Sequence, residues 1–210
     1  MQEAFNHLVT KTIKPFLKAH GFYKKGMYFY KKDDDLIFML NFQKSQFNSA
    51  ENLVFYISFG IYTISMDTLL GRDVVLEPKI SDGYVIKRLD AITCSNNPWY
   101  TINHRTNVDE LAILIEQELV ALVRFVETMT SLEDLVNFMI RENGLHRYEE
   151  LFEYLLIGDD FMRLVPYIQH LYKRFGHEER WSIFAKNLNT LLQKHQHQES
   201  IETLINKKIG

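Results

Sequence analysis

Apolar residues recur at three- and four-residue spacings from Gln2 to Ala19, where Phe5, Leu8, Val9, Ile13, Phe16 and Leu17, with Thr12, fall on one side of an amphipathic helix. Pro15 lies inside that pattern and is expected to kink the helix or begin its last turn, and Gly21 to follow its end. From Phe22 the period changes to two. Phe22 to Lys32, Leu36 to Lys44 and Leu53 to Thr63 are rich in Phe, Tyr and Ile, and the acidic run Asp33 to Asp35 is a turn between the first two, so three antiparallel strands in a meander are predicted. Leu69 to Asp82, with Gly71, Pro78 and the short apolar run Val74 to Leu76, reads as a loop carrying one short strand. Tyr84 to Thr93 reads as a further strand. Asn96, Asn97 and Pro98 then turn the chain into a last short strand, Trp99 to Ile102.

After Asn107 the pattern is helical throughout. Asn107 with Glu110, and Ser131 with Asp134, have the spacing of an N-cap and its partner three residues on. Val108 to Met129 is long and apolar at helical spacing and is expected to pack across the sheet. Shorter helices follow, at Leu132 to Glu142, Arg147 to Ile157, Phe161 to Phe175 with Pro166 inside it, and Glu178 to His195, and a weak amphipathic piece holds Ile201, Leu204 and Ile205. Lengths differ and no motif is shared, so a helical repeat is disfavoured. The predicted class is α+β: an antiparallel sheet of four to five strands packed by the N-terminal helix and the long helix. Residues 1–130 form the sheet domain, and residues 131–210 a C-terminal helical subdomain packed on it.

The hairpin of Leu36 to Thr63 specifies its own register. Faces match across an antiparallel pair only when paired residue numbers have a constant total, and a loop centred near Ser49 makes that total about 99. Leu36, Phe38, Leu40 and Phe42 then share a face with Ile57, Phe59 and Ile61, an apolar layer for a helix to cover. The opposite face carries Ile37, Met39, Asn41 and Gln43 beside Tyr56, Ser58, Gly60 and Tyr62, and half of it is polar. Lys44, Ser45 and Asn48 are expected at the rim of the hairpin end. Asn41, Gln43, Lys44, Ser45, Asn48, Tyr56, Ser58 and Tyr62 are therefore the candidate ligand or partner surface. The competing structural reading has polar groups there satisfying one another beneath a loop.

Composition adds exclusions. A net charge of −3 gives no global reason for a polyanion partner. Lys24, Lys25, Lys31 and Lys32 interleave with Tyr23, Tyr28, Phe29 and Tyr30 in the manner of single-stranded nucleic-acid binders. Lysines that discourage edge pairing explain the same pattern, and Asp33 to Asp35 cancel their charge, so nucleic acid is disfavoured. Eight histidines lack the spacing of a metal site, no phosphate-cradling glycine loop occurs, and no cofactor is expected. The single cysteine, Cys94, reads as a buried structural thiol, excludes an intramolecular disulfide and points to a reducing compartment. With no secretory signal and no apolar run long enough for a membrane span, a cytoplasmic protein is expected.

The segment HGFYKKGMYFYKKDDDLIFMLNFQKSQFNSAENLVFYISFGIYT resembles the bacterial family catalogued as domain of unknown function 4304. The matching positions are Gly21, Phe22, Lys24, Lys25, Gly26, Phe29 and Tyr30, then Ile37, one place early, and Asn41, Phe42, Gln43, Lys44, Ser45 and Asn48, then Gly60, Ile61 and Tyr62. Arg88-Leu89 and Trp99-Tyr100 are similar to an arginine-leucine and a double-aromatic position that follow in the family. The likeness runs from residue 2 to about residue 140; it departs in the loop Leu69 to Asp82 and in having Tyr100 where a second Trp is common. It implies a fold and a set of motif residues without a mechanism. Three functional expectations compete. The first is a non-enzymatic binding module on the Asn41–Asn48 region, taking a protein or small polar ligand. The second is a hydrolase or nuclease-like enzyme joining Lys44 to the carboxylates of Asp33 to Asp35. In the third, Asn41 and Gln43 only tie down the loop Gln46 to Asn52.

Overall fold

The computed structural model describes residues 1–207. They form two compact units. The first comprises Met1–Ile64 and Val75–Leu132, and the second Ser65–Val74 with the chain from Glu133 onward.

The first unit is an α+β sandwich of one antiparallel sheet and helices. Its strands are β1 (Tyr23–Lys25), β2 (Tyr28–Asp33), β3 (Leu36–Lys44), β4 (Asn52–Thr63), β5 (Val85–Arg88) and β6 (Tyr100–Asn103). The order is β1-β2-β3-β4-β5, and β6 also pairs with β4. Both β5 and β6 use the far edge of β4: β5 pairs with Ser58 to Ile61 and β6 with Asn52 to Phe55. In the β3–β4 hairpin Leu36 faces Thr63 and Lys44 faces Phe55, so every pair totals 99, the register that the alternation of side chains demands.

Two strands differ from the sequence pattern. Phe22 to Lys32 is not one strand, because Gly26 takes a left-handed φ of 59° and, with Met27, folds the segment into the two-residue hairpin β1–β2. The stretch from Tyr84 stays extended only to Arg88. Leu89 is buried and begins the short helix α4 (Leu89–Thr93), which ends at Cys94 in the left-handed region. Cys94 is exposed there, not a buried thiol. Leu69 to Asp82 holds no strand; α3 (Ile64–Leu69) leads into loop and a single 3-10 turn, Ile80–Asp82.

The N-terminal helix is α1 (Gln2–His7), a π-helical turn (Leu8–Ile13) and α2 (Lys14–Ala19) without interruption. Its fully covered residues Leu8, Ile13 and Leu17 are five and four apart. The five-residue step is the wide turn, in which the Lys14 N–H donates to the Val9 carbonyl; Pro15, which has no N–H to donate, follows at once. This helix and α5 (Val108–Glu127) cover the inner face of the sheet. Phe5 meets Phe55 edge-on at 4.9 Å, and Phe125 meets Phe59 at 5.9 Å. Asn107 caps α5, its Oδ1 accepting from the N–H groups of Asp109 (3.1 Å) and Glu110 (3.4 Å).

The segment from Val75 to Tyr84 covers the outer face at Tyr30, Gly60 and Tyr62. The Tyr62 hydroxyl accepts from the Val75 N–H at 2.8 Å, and the Tyr30 hydroxyl donates to the Pro78 carbonyl at 3.2 Å. Gly60 makes room for this cover, since a Cβ there would lie 3.1 Å from Met39 Cε and 3.4 Å from Ile80 Cδ1.

The second unit is helical: α6 (Leu132–Glu142), α7 (Tyr148–Ile157), α8 (Phe161–Phe175, with Pro166 inside and Asp160 as cap), α9 (Trp181–Lys194) and α10 (Ile201–Asn206). Ser65–Val74 joins it although the chain pattern groups that stretch with the sheet. Glu150 of α7, nearly buried, accepts from Arg72 at 2.8 Å and from Arg147 at 2.7 Å, a buried carboxylate held by two guanidinium groups. Among the described residues no helix is long and apolar enough to cross a membrane.

Candidate functional site

Beyond Gly60 the outer face keeps part of its surface exposed, as at Asn41, Gln43 and Tyr56, and the covering segment reaches this side through Glu77, which pairs with Lys25. Register places Lys25, Tyr28, Asn41, Ser58 and Arg88 in one row across five strands, with Gln43 and Tyr56 paired in the next row. The β4–β6 register, continued by one residue, brings Trp99 beside Tyr56, where the rings meet edge-on at 5.1 Å. Trp99 is 49 % exposed, and the Arg88 guanidinium lies 5.2 Å from the centre of its ring. Arg88 Nε is also 3.6 Å from Asp90 Oδ1. Ser58 is buried at the foot of this shelf, and Asn41, Gln43 and Tyr56 are half-buried. Tyr28 continues the aromatic surface toward β1, stacking at 5.7 Å on Tyr30, which stacks in turn on Tyr23.

Of the sequence-predicted residues, Asn41, Gln43, Tyr56 and Ser58 therefore come together. The side-chain amides of Asn41 and Gln43 have no hydrogen-bond partner among the described residues. The other four do not share the surface in the predicted way. Lys44 belongs to the inner side, because successive strand residues alternate faces. It pairs with Phe55, its Nζ donates to Gln2 Oε1 at 2.8 Å, and it lies 4.7 Å from the centre of the Phe5 ring. Asn48 clamps the loop: its Nδ2 donates to the Val54 carbonyl at 3.0 Å and its Oδ1 accepts from the Val54 N–H at 2.8 Å. Ser45 also serves the loop, its Oγ accepting from the Phe47 N–H at 3.2 Å. Tyr62 is only 1 % exposed beneath the Val75 segment, so its hydroxyl is committed to the interior.

Tyr28, Arg88 and Trp99 complete the shelf and were not among the candidates from sequence. Arg88-Leu89 and Trp99-Tyr100 stood out as pairs, but periodicity contains no signal that two short strands divide one edge of β4. A buried carboxylate sets the position of Trp99. Glu118 of α5, 5 % exposed, accepts from the Tyr100 hydroxyl and, at 3.3 Å, from Asn97 Nδ2, so both flanks of Trp99 are tied to the same side chain.

Burial, followed by the hydrogen bond to Glu118 and its charge, drives the Tyr100 phenol far above its usual range. Burial likewise raises Tyr167, and it pushes Tyr148 up to about 12, with Glu149 adding to the rise and a hydrogen bond from Asn187 opposing it. A raised folded pKa favours the neutral phenol. The stability it represents is complete below the unfolded value of 10.0 and is lost as pH climbs from there through the folded values. Ultraviolet titration of the native protein is thus expected to leave Tyr100, Tyr148 and Tyr167 protonated at pH 10, and unfolding to begin above that pH.

The shelf offers amide donors and acceptors, ring faces and two cations, Arg88 and, at its β1 end, Lys25, which pairs with Glu77. Among the described residues, the Ser58, Tyr28 and Tyr56 hydroxyls make no hydrogen bond to a basic side chain. Lys44 and the carboxylates of Asp33 to Asp35 lie at opposite ends of nine-residue β3, roughly 30 Å apart at the usual strand rise, so no proton passes directly between them. Among the described residues, no group of three or more His, Cys, Asp and Glu side chains is placed to hold a metal ion.

The model of the family described as Domain of unknown function (DUF4304) matches residues 13–134, more than half of the chain. The chain belongs to the DUF4304 family. The matched span contains every residue of the shelf, from Tyr28 to Trp99, and Glu118 behind it. No curated protein and no solved structure matches the chain.

Proposed function

We propose that this DUF4304 protein is a non-enzymatic binding module that receives a protein partner on the part of its outer sheet face beyond Gly60. The observation that carries the reading is the pair of half-buried amides, Asn41 and Gln43, without internal partners, beside a half-exposed Trp99 that lies under Arg88. Contacts with Tyr56 and Arg88 hold the indole in place, but they leave half of it, and two amides unbonded among the described residues, facing outward. A protein interface uses that combination, since Trp, Tyr and Arg dominate interface anchors and a ring of polar groups fixes the register. The competing structural reading assigns Asn41 and Gln43 to the loop, but Asn48 and Ser45 make the loop's bonds.

Photo-crosslinking tests it. A benzophenone side chain at position 43 is expected to capture a discrete partner that the same group at Ile183, exposed on the helical unit, does not. Trp99→Ala is expected to weaken that complex by about 2 kcal/mol or more, roughly thirtyfold, with the melting temperature unchanged. A partner captured equally from both positions, or held as tightly by Trp99→Ala and Gln43→Ala, refutes the reading.

A further inference from the structure

Where the N-terminal helix crosses the β1–β2 hairpin, on the inner side of the sheet, two adjoining cavities of about 400 and 420 Å³ share Lys14, Lys24 and Phe29 in their walls. The first adds Lys44 with Phe5 and Phe42, and the second adds Lys18 with Phe22. No acidic side chain lines either one, although the chain has 27 Asp and Glu against 24 Lys and Arg. Lys14, Lys18 and Lys24 make no ion pair with any described residue. Lys14 and Lys18 are four residues apart on one helix, a spacing at which like charges repel and at which a carboxylate is the usual relief. Between the lysines the walls mix phenylalanine, Val9 and Met27 with the uncharged polar residues Asn6, Thr10 and Tyr23. Three phenylalanines form the floor, Met27 stands 56 % exposed at the mouth, and Lys44 already lies over a ring as a cation does over a π face. Phe5, Phe29 and Phe42 are themselves buried, and a flat or aliphatic body reaches them only as the lysine stems and the flexible thioether move aside, at little cost.

We propose that this cleft binds a small organic anion, a phosphate or carboxylate group carried on an apolar body. The lysines Lys14, Lys24 and Lys44 receive the charge, and Phe5, Phe29 and Phe42 underlie the body. A cavity of this volume is of the size that encloses a small molecule. A nucleic-acid strand needs a continuous basic track, whereas these lysines surround one recess. The main lysine recess is on the opposite side of the sheet from Trp99, and Tyr23, at the edge strand, both lines its second cavity and ends the aromatic row that continues the shelf.

Titration of the ¹⁵N-labelled full chain with 1-naphthyl phosphate, followed by amide shifts, tests the cleft, with 1-naphthol and inorganic phosphate as the body and the head group alone. The expected result is saturable shifts confined to the N-terminal helix and the β1–β3 strands, with affinity at least about tenfold above either fragment. The double variant Lys14→Ala, Lys24→Ala is expected to lose about tenfold in affinity, and Lys14→Arg, Lys24→Arg, which keeps both charges, to restore it. Equal binding of 1-naphthol removes the role of the lysines and overturns the proposal, as does equal binding of inorganic phosphate. The absence of localised shifts overturns it too. Tighter binding of the oligonucleotide dT8, weakened by the same alanines, replaces the small anion with a nucleic acid.

Discussion

Phe59→Ala is expected to lower the unfolding free energy of the sheet unit by about 3–5 kcal/mol, the range for truncating a wholly buried phenylalanine. Phe59 has no exposed surface, lies in the middle of β4, stacks at 6.3 Å on Phe38 and receives the edge of Phe125 from α5 at 5.9 Å. Its strand is bonded on both sides, to β3 and β5, so the backbone cannot collapse into the space the ring leaves. The cost is therefore a transfer loss plus a retained cavity. Denaturant titration is the measurement: the midpoint falls and the slope stays constant, because the same surface is exposed on unfolding. Phe47→Ala, at a loop ring that is 87 % exposed, is the control and should change stability by no more than about 0.5 kcal/mol. A cost below about 1 kcal/mol for Phe59→Ala would mean that α5 does not press on the sheet at this point.

Glu118→Ala is expected to cost about 2–3 kcal/mol, the scale of a hydrogen bond to a charged group together with a buried hydroxyl left without an acceptor. It removes the acceptor of the Tyr100 hydroxyl and of Asn97 Nδ2 at once, and those two residues bracket Trp99. Stability and recognition should fall together. In a Trp181→Phe background, acrylamide is expected to quench Trp99 fluorescence more strongly after Glu118→Ala, and the partner captured at position 43 to bind more weakly. Glu118→Gln, which keeps an acceptor oxygen, should recover part of both. Glu118→Leu combined with Tyr100→Phe removes the buried donor and acceptor together and is expected to restore stability far more than recognition, since Asn97 stays released. If Trp99 quenching is unchanged in Glu118→Ala, the ring is positioned by Tyr56 and Arg88 alone.

Legibility differed between neighbouring elements for physical reasons. The β3–β4 register was readable because one face is wholly apolar and a slip by one residue would expose Phe38, Leu40, Phe59 and Ile61 together. The start of α5 was readable because Asn107 satisfies orphan N–H groups that every helix has. The break at Gly26 was not, since an aromatic and lysine alternation continues through it and glycine marks a possible turn without requiring one. The helix at Leu89 was hidden because a four-residue strand and a five-residue helix share an ambiguous apolar pattern.

The sequence alone determined which residues of β3 and β4 share a face, since strand geometry fixes parity and hydrophobicity selects the register. It thereby placed Asn41 and Gln43 opposite Ser58 and Tyr56, and the familial motif fell on the same hairpin. Tertiary structure alone decided which part of that face is covered, because the cover comes from Val75 to Tyr84, a segment with no periodicity to announce where it lies. It also decided that Lys44 belongs to a basic cleft on the other side, while Arg88 and Trp99, from two strands sharing one edge of β4, finish the shelf. Pairings of that kind depend on which backbone edge remains unfilled, a property that no local pattern of side chains encodes.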